Sequence, residues 1–154
     1  MRVKCLSIAL YALGLSCVGS LGEARTADVT RPSWLPADAT ATASCVEALG
    51  DIYWNPKRLP FGPTYGVHDG KPVFEEVMVS QRDFEKGFNL NDVGKPVPPF
   101  PVDHVDIWFA PRGHDGFPSP HYDIMLVFMP HAKHMHLCGN TSGAMPDFVL
   151  QTRP

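Results

Sequence analysis

Two alternating runs dominate the second half of the chain. Val102 to Ala110 places His104, Asp106 and Trp108 on one side and Asp103, Val105, Ile107 and Phe109 on the other, the period of two that marks a β-strand. His121 to Met129 (HYDIMLVFM) is polar at its start and apolar on both sides beyond Asp123, as expected of a central strand. The ten residues between them, Pro111 to Pro120, predict a hairpin loop centred on His114. An earlier run, Pro72 to Ser80, alternates Val73, Glu75, Val77 and Val79 against Phe74, Glu76 and Met78. Gly66 to Gly70 (GVHDG) precedes it and reads as a turn, with Asp69-Gly70 as a hairpin signal. Glu75 and Glu76 fall on opposite faces, so one carboxylate points inward if either face is buried, and a buried carboxylate requires a partner.

Between these runs the pattern predicts shorter elements. Asp38 to Gly50 is Ala-rich, with Val46 and Leu49 three apart and Gly50 placed as a stop, which predicts a short helix carrying Cys45. Ile52-Tyr53-Trp54 predicts a strand start, ended by Pro56 and Pro60. Ser80 reads as the cap of a helix of about two turns that Gly87 terminates. Residues 87–101 read as an irregular connection packed on the domain, and HAKHMHLC after Pro130 as a loop or edge segment. One further strand is expected over Asp147 to Gln151. The expected fold is mainly β: a single small antiparallel sandwich or barrel-like domain with one or two short helices.

The first residues change the picture of where the domain begins. Arg2 and Lys4 precede an apolar run from Leu6 to Val18, and Gly22-Glu23-Ala24 offers small residues for cleavage. Residues 1–24 are therefore expected to be a cleaved signal peptide, 25–37 an N-terminal arm and 38–154 one domain, with export to the periplasm or beyond. The run is short against the ~20 residues of a membrane span, so no stable anchor is expected after cleavage. The formal net charge is −3, one unit more negative once Arg2, Lys4 and Glu23 leave. With no basic run, that charge argues against nucleic acid or an anionic membrane as partner. All 16 prolines lie beyond residue 24, which rules out a mostly helical domain. Two cysteines, Cys45 and Cys138, remain, and in an exported protein they are expected to pair.

Candidate chemistry concentrates on the predicted hairpin. His104, His114, His121, His131, His134 and His136 are six of the seven histidines. His121 opens its strand beside the loop that carries His114, and Asp123 faces the same way two residues on, so these three converge. Imidazole and carboxylate together suit a divalent transition metal, zinc, iron or copper. His-x-Asp on a strand is also how many non-haem iron sites begin, with a distant histidine as third ligand, a place open to His131, His134 or His136. His104 lies roughly 20 Å down its strand at ~3.3 Å per residue, outside that cluster. Bland alternatives stand beside each: a tight Gly113–Gly116 turn, a strand-capping His121 hydrogen-bonded to Asp123, solvated loop histidines beyond Pro130. Met125, Met129 and Met135 suit copper(I), or simply core filling.

The run from Asp103 to Ile124 resembles the core of an uncharacterised family of exported bacterial β-rich proteins, with the pattern GH-x-G-x-P-x-P-H-[YF]-D. Cys45-Val46, Gly50, Tyr65-Gly66, Gly70-Lys71, Phe74, Glu76 and Met78 resemble its earlier segment. The resemblance covers residues 45–138 and implies a β-rich domain with a His/carboxylate pocket, to which His114, His121, Asp123 and Glu76 correspond. The family's second strand extends to P-H-[YF]-D-x-H and its early segment reads G-x-H, so Met125 and Ile52 stand where the resemblance expects histidines. The readings carried forward are a metal-binding domain, a metal-dependent enzyme on the same residues, and a structural or homo-oligomerising domain. A small-molecule partner is left open.

Overall fold

The computed structural model describes residues 31–93 and 100–146. The signal peptide expected over residues 1–24, residues 25–30 of the expected arm and the strand expected over Asp147 to Gln151 lie outside the described residues. Among the described residues six strands form one antiparallel sheet: β1 (Thr40–Val46), β2 (Gly50–Trp54), β3 (Thr64–His68), β4 (Lys71–Ser80), β5 (His104–Ala110) and β6 (His121–Val127). Their order is β1-β2-β3-β4-β6-β5. The mainly antiparallel β class is as the pattern predicts, with two short helices, α1 (Gln81–Glu85) and α2 (His131–His134). The sheet is neither split into a sandwich nor closed into a barrel. It curls instead, so that β1 and the β5–β6 hairpin line one cavity.

Local chemistry explains most of the elements. Asp69 and Gly70 both take positive φ, 50° and 72°, the two-residue turn that matches strand twist, and β3 and β4 pair across it. Ser80 caps α1 by accepting from the Asp83 N–H at 3.0 Å, and Gly87 follows its end with φ 70°. β6 lies between β4 and β5, which is why its sequence is apolar on both faces.

Several expectations are corrected. The Ala-rich segment is strand β1 rather than a helix, because pairing with β2 through Thr40↔Trp54 and Ala41↔Tyr53 outweighs the weak helical preference of a few alanines. Gly50 ends no helix; it opens β2 at φ 80°, against the Val67 carbonyl, where a Cβ would collide. Both Glu75 and Glu76 are buried, not one, because both faces of the sheet are covered at β4. The segment after Pro130 is helix α2 followed by a 3-10 turn over Leu137–Gly139, and it packs inward through His134, Met135 and Leu137.

That segment closes one end of the face formed by Ile52, Phe74, Trp108, Met125 and Val127. The described part of the predicted arm packs on the opposite face through Leu35, beside Ala39 of the domain, against Tyr53, Tyr65 and Val67. Arg31 fastens it by donating to the carbonyls of Leu35, Pro36 and Ala39. Cys45 and Cys138 are paired at disulfide distance, Cα–Cα 5.1 Å, and tie β1 to the segment after α2. Among the described residues no helix is long and apolar enough to cross a membrane.

Candidate metal centres

Cross-strand register places the candidate ligands. Asp123 pairs with Trp108 on β5 and Met78 on β4, and His121 with Ala110 and Ser80, so His121 and Asp123 project from one face. The β5–β6 loop folds back over them. His114 and Phe117 exchange both backbone hydrogen bonds at 3.0 Å, with Gly113 and Gly116 at φ 67° and 89°. The tight turn is real, and it is what lowers the His114 ring onto Asp123.

The three ligand atoms meet. His121 Nε2 is 3.0 Å from His114 Nε2 and 2.9 Å from Asp123 Oδ1, and His114 Nε2 is 3.7 Å from the same oxygen. His121 and Asp123 are buried, and the Phe117 ring lies 4.2 Å from that of His121. The opposite ring nitrogens are committed elsewhere: His121 Nδ1 donates to Ser119 O at 2.6 Å and His114 Nδ1 to Asp115 O at 2.9 Å. A carbonyl can only accept, so each Nδ1 carries a proton and each Nε2 faces Asp123 as the ring atom open to a metal or a further proton. Three Lewis-basic atoms then face one point. Burial disfavours charge on Asp123, but the two imidazoles outweigh it and hold the carboxyl below its ordinary value. Burial likewise opposes charge on His114, and Asp123 with the Asp115 carbonyl overcomes it, raising the imidazole pKa.

Glu76 does not join the three convergent atoms. It lines, with His114 and Asp123, a cavity of about 390 Å³ whose remaining wall is mostly apolar, including Ile52, Trp54 and Trp108. Burial first, and the Asp123 charge second, push its carboxyl well above the usual range. Met125, in place of the strand histidine, is fully buried, and with Met135 belongs to the core rather than to a copper site.

No histidine beyond Pro130 reaches this cluster, contrary to the expectation of a further ligand there. His134 is fully buried, His136 Nδ1 donates to the Asn140 carbonyl at 2.9 Å, and His131 is exposed. His131 and His134 instead approach His104 and Asp106 on β5, forming a second His/Asp grouping whose four potential ligand atoms lie within 4.8 Å of one another. Asp106 pairs across the sheet with Met125, one diagonal step from Asp123. Trp108 stands between the groupings: its ring stacks on His134 (centroids 5.9 Å, 10°) and it also lines the cavity. Burial holds the His134 imidazole down to about 4, against the opposing charge of Asp106. The spacing of His131 and His134, three apart, is the signal in the sequence that could have shown a shared helical face.

Comparison with known proteins adds the fold. No protein-family model and no curated protein matches the chain. Among solved structures it is similar to the hypothetical protein TTHB210 from Thermus thermophilus, with TM-score 0.56 and 24% identity over 64% of this chain and 94% of that one. At that identity the likeness is one of fold.

Proposed function

We propose that this protein is an exported small β domain that binds a divalent transition metal through His114, His121 and Asp123, with the free coordination positions opening into the apolar cavity. The observation that carries the reading is the commitment of both Nδ1 atoms to backbone carbonyls, which leaves two Nε2 lone pairs and a carboxylate oxygen converging. Ligand histidines are oriented in this way by the hydrogen bond of their other nitrogen. Without a cation, one imidazole must take a proton to relieve the clash of lone pairs.

The donor set, rather than the spacing, favours one metal. Two of the three edges, 3.0 and 2.9 Å, are near the ~3.0 Å of neighbouring ligands on an octahedral ion, and the third, 3.7 Å, is longer than either octahedral or tetrahedral spacing. Two histidines and one carboxylate are the set that suits Fe2+ and leaves positions open. The basic, apolar N-terminal run and the Cys45–Cys138 pair support export, as does the resemblance to exported β-rich proteins.

The test is equilibrium dialysis of chelator-treated protein against Fe2+ under anaerobic conditions, and against Zn2+ and Cu2+ separately. His121→Ala and His114→Ala are each expected to remove one bound equivalent or weaken it at least tenfold. Unchanged stoichiometry and affinity in both would refute the site. A second reading, a metal-dependent enzyme, is favoured by the cavity and by Glu76 beside it, whose carboxyl burial pushes well above the usual range. Nitric oxide binding to the Fe2+-loaded protein, read by electron paramagnetic resonance, reports an open position; absence of an adduct removes the enzyme reading.

A further inference from the structure

Asp106 Oδ2 lies between three imidazole nitrogens: His104 Nε2 and His134 Nδ1 at 3.5 Å each, and His131 Nδ1 at 4.0 Å. His104 Nε2, Asp106 Oδ2 and His134 Nδ1 are all buried, and none makes a hydrogen bond. A buried polar group left unsatisfied has lost its hydration with nothing in return, so three together are a large liability for a small domain. His134 is the strongest sign, because the whole residue is excluded from solvent and neither ring nitrogen has a hydrogen-bond partner. A histidine buried only for packing would be expected to find a carbonyl or hydroxyl.

His104 shows how the grouping is oriented. Its Nδ1 lies 3.0 Å from Asp103 Oδ1, so that nitrogen carries the proton and Nε2 turns its lone pair toward Asp106. The separations of 3.5, 3.5 and 4.0 Å are too long for hydrogen bonds, but close to the ~3.4 Å edge of a tetrahedron with ~2.1 Å bonds. Four ligands fill a tetrahedron and leave no open position, unlike the three at His114, His121 and Asp123.

We infer that His104, Asp106, His131 and His134 form a second, closed metal site, a structural zinc site that fastens α2 to β5. Three of its ligands are shielded from solvent, and His131, with 63% of its side chain exposed, covers the solvent side. The site and the Cys45–Cys138 pair hold the segment after Pro130 at two points, one through β5 and one through β1. Its residues are separate from those of the cavity site, so it stands or falls independently.

Co2+ is the probe, because a tetrahedral Co2+ centre absorbs visible light far more strongly than a six-coordinate one. Chelator-treated full-length protein titrated with Co2+ is expected to develop the intense tetrahedral bands with one equivalent, and Zn2+ to bleach them. His131→Ala is expected to lower the Co2+ affinity at least tenfold or abolish the bands; the exposed position of His131 keeps this variant folded. Asp106→Asn is expected to do the same, and circular dichroism confirms that it folds. His121→Ala should leave the tetrahedral bands intact, which separates this site from the cavity site. The inference is overturned if wild-type protein gives no tetrahedral bands, or if the bands survive unchanged in both His131→Ala and Asp106→Asn.

Discussion

Removing the Cys45–Cys138 pair tests how the C-terminal segment is held. The two residues are 93 apart in sequence, and in the chain-entropy picture a cross-link closing such a loop stabilises the fold by about 4.6 kcal/mol. A compact denatured chain loses less entropy on cross-linking, so about 3–4 kcal/mol is the expected cost of replacing both by alanine. Cys45 and Cys138 both sit at positive φ, 48° and 54°, a conformation that costs an L-residue about 1–2 kcal/mol. Alanine bears the same backbone penalty, so Cys45→Ala/Cys138→Ala isolates the cross-link. The assay is urea unfolding of the double variant and of oxidised and reduced parent protein, all with chelator. With m of about 1.5 kcal/mol/M, the midpoint should fall by about 2 M, or the variant should be unfolded in buffer. The variant should also show a larger m, because its unfolded chain is more expanded. A midpoint within about 0.5 M of the oxidised parent, with unchanged m, would refute the reasoning.

Three further outcomes are expected. Glu76 holds its proton above the ordinary value of 4.5, so the folded state binds a proton that the unfolded chain releases, and stability present below that value is lost as pH rises toward the raised one. Glu76→Gln in metal-free protein should therefore match the parent near pH 4 and exceed its stability at pH 8; equal stability at both, by chemical denaturation, would contradict this. A Cβ at Gly66 would run into the Phe74 ring and the Leu49 carbonyl, so Gly66→Ala should destabilise by about 1–3 kcal/mol in thermal unfolding. Tyr65 is pushed up to about 12, first by burial and then by the charge of Glu75, so an alkaline absorbance titration should show one tyrosine ionising late, and Tyr65→Phe should remove that step.

Strands β4 to β6 were legible from their alternating or continuously apolar residue patterns, and Asp69-Gly70 and Ser80 are side chains whose local chemistry dictates a turn and a cap; β3 was not, because Gly66 to His68, read as part of the turn, owe their extended form to pairing with β2 and β4. The convergence of His114, His121 and Asp123 was legible for the same reason, being set by one hairpin and the period of two. β1 was not, because an edge strand of alanine and threonine, nearly all exposed, owes its conformation to its partner β2 rather than to its own composition. Nor was the second grouping. His104 is indeed far from the hairpin loop, but Pro130 begins a helix where the pattern suggested only an end, and α2 returns His131 and His134 to the far end of β5. A tertiary return of that kind leaves no local mark except the three-residue spacing.

The ligands of both groupings all fall between residues 104 and 134, and His114, His121 and Asp123 within ten residues. A chelator so local in sequence does not vanish when the domain unfolds, because closing a loop of a few residues costs the denatured chain little. If these groupings hold metal as proposed, the ion will also bind the unfolded protein measurably, and the gain in stability on saturation will fall short of that given by the native affinity alone. The same locality lets the nascent β5–β6 hairpin capture an ion before β1 to β3 have docked, so metal should act on the folding rate as well as on the stability of the finished fold.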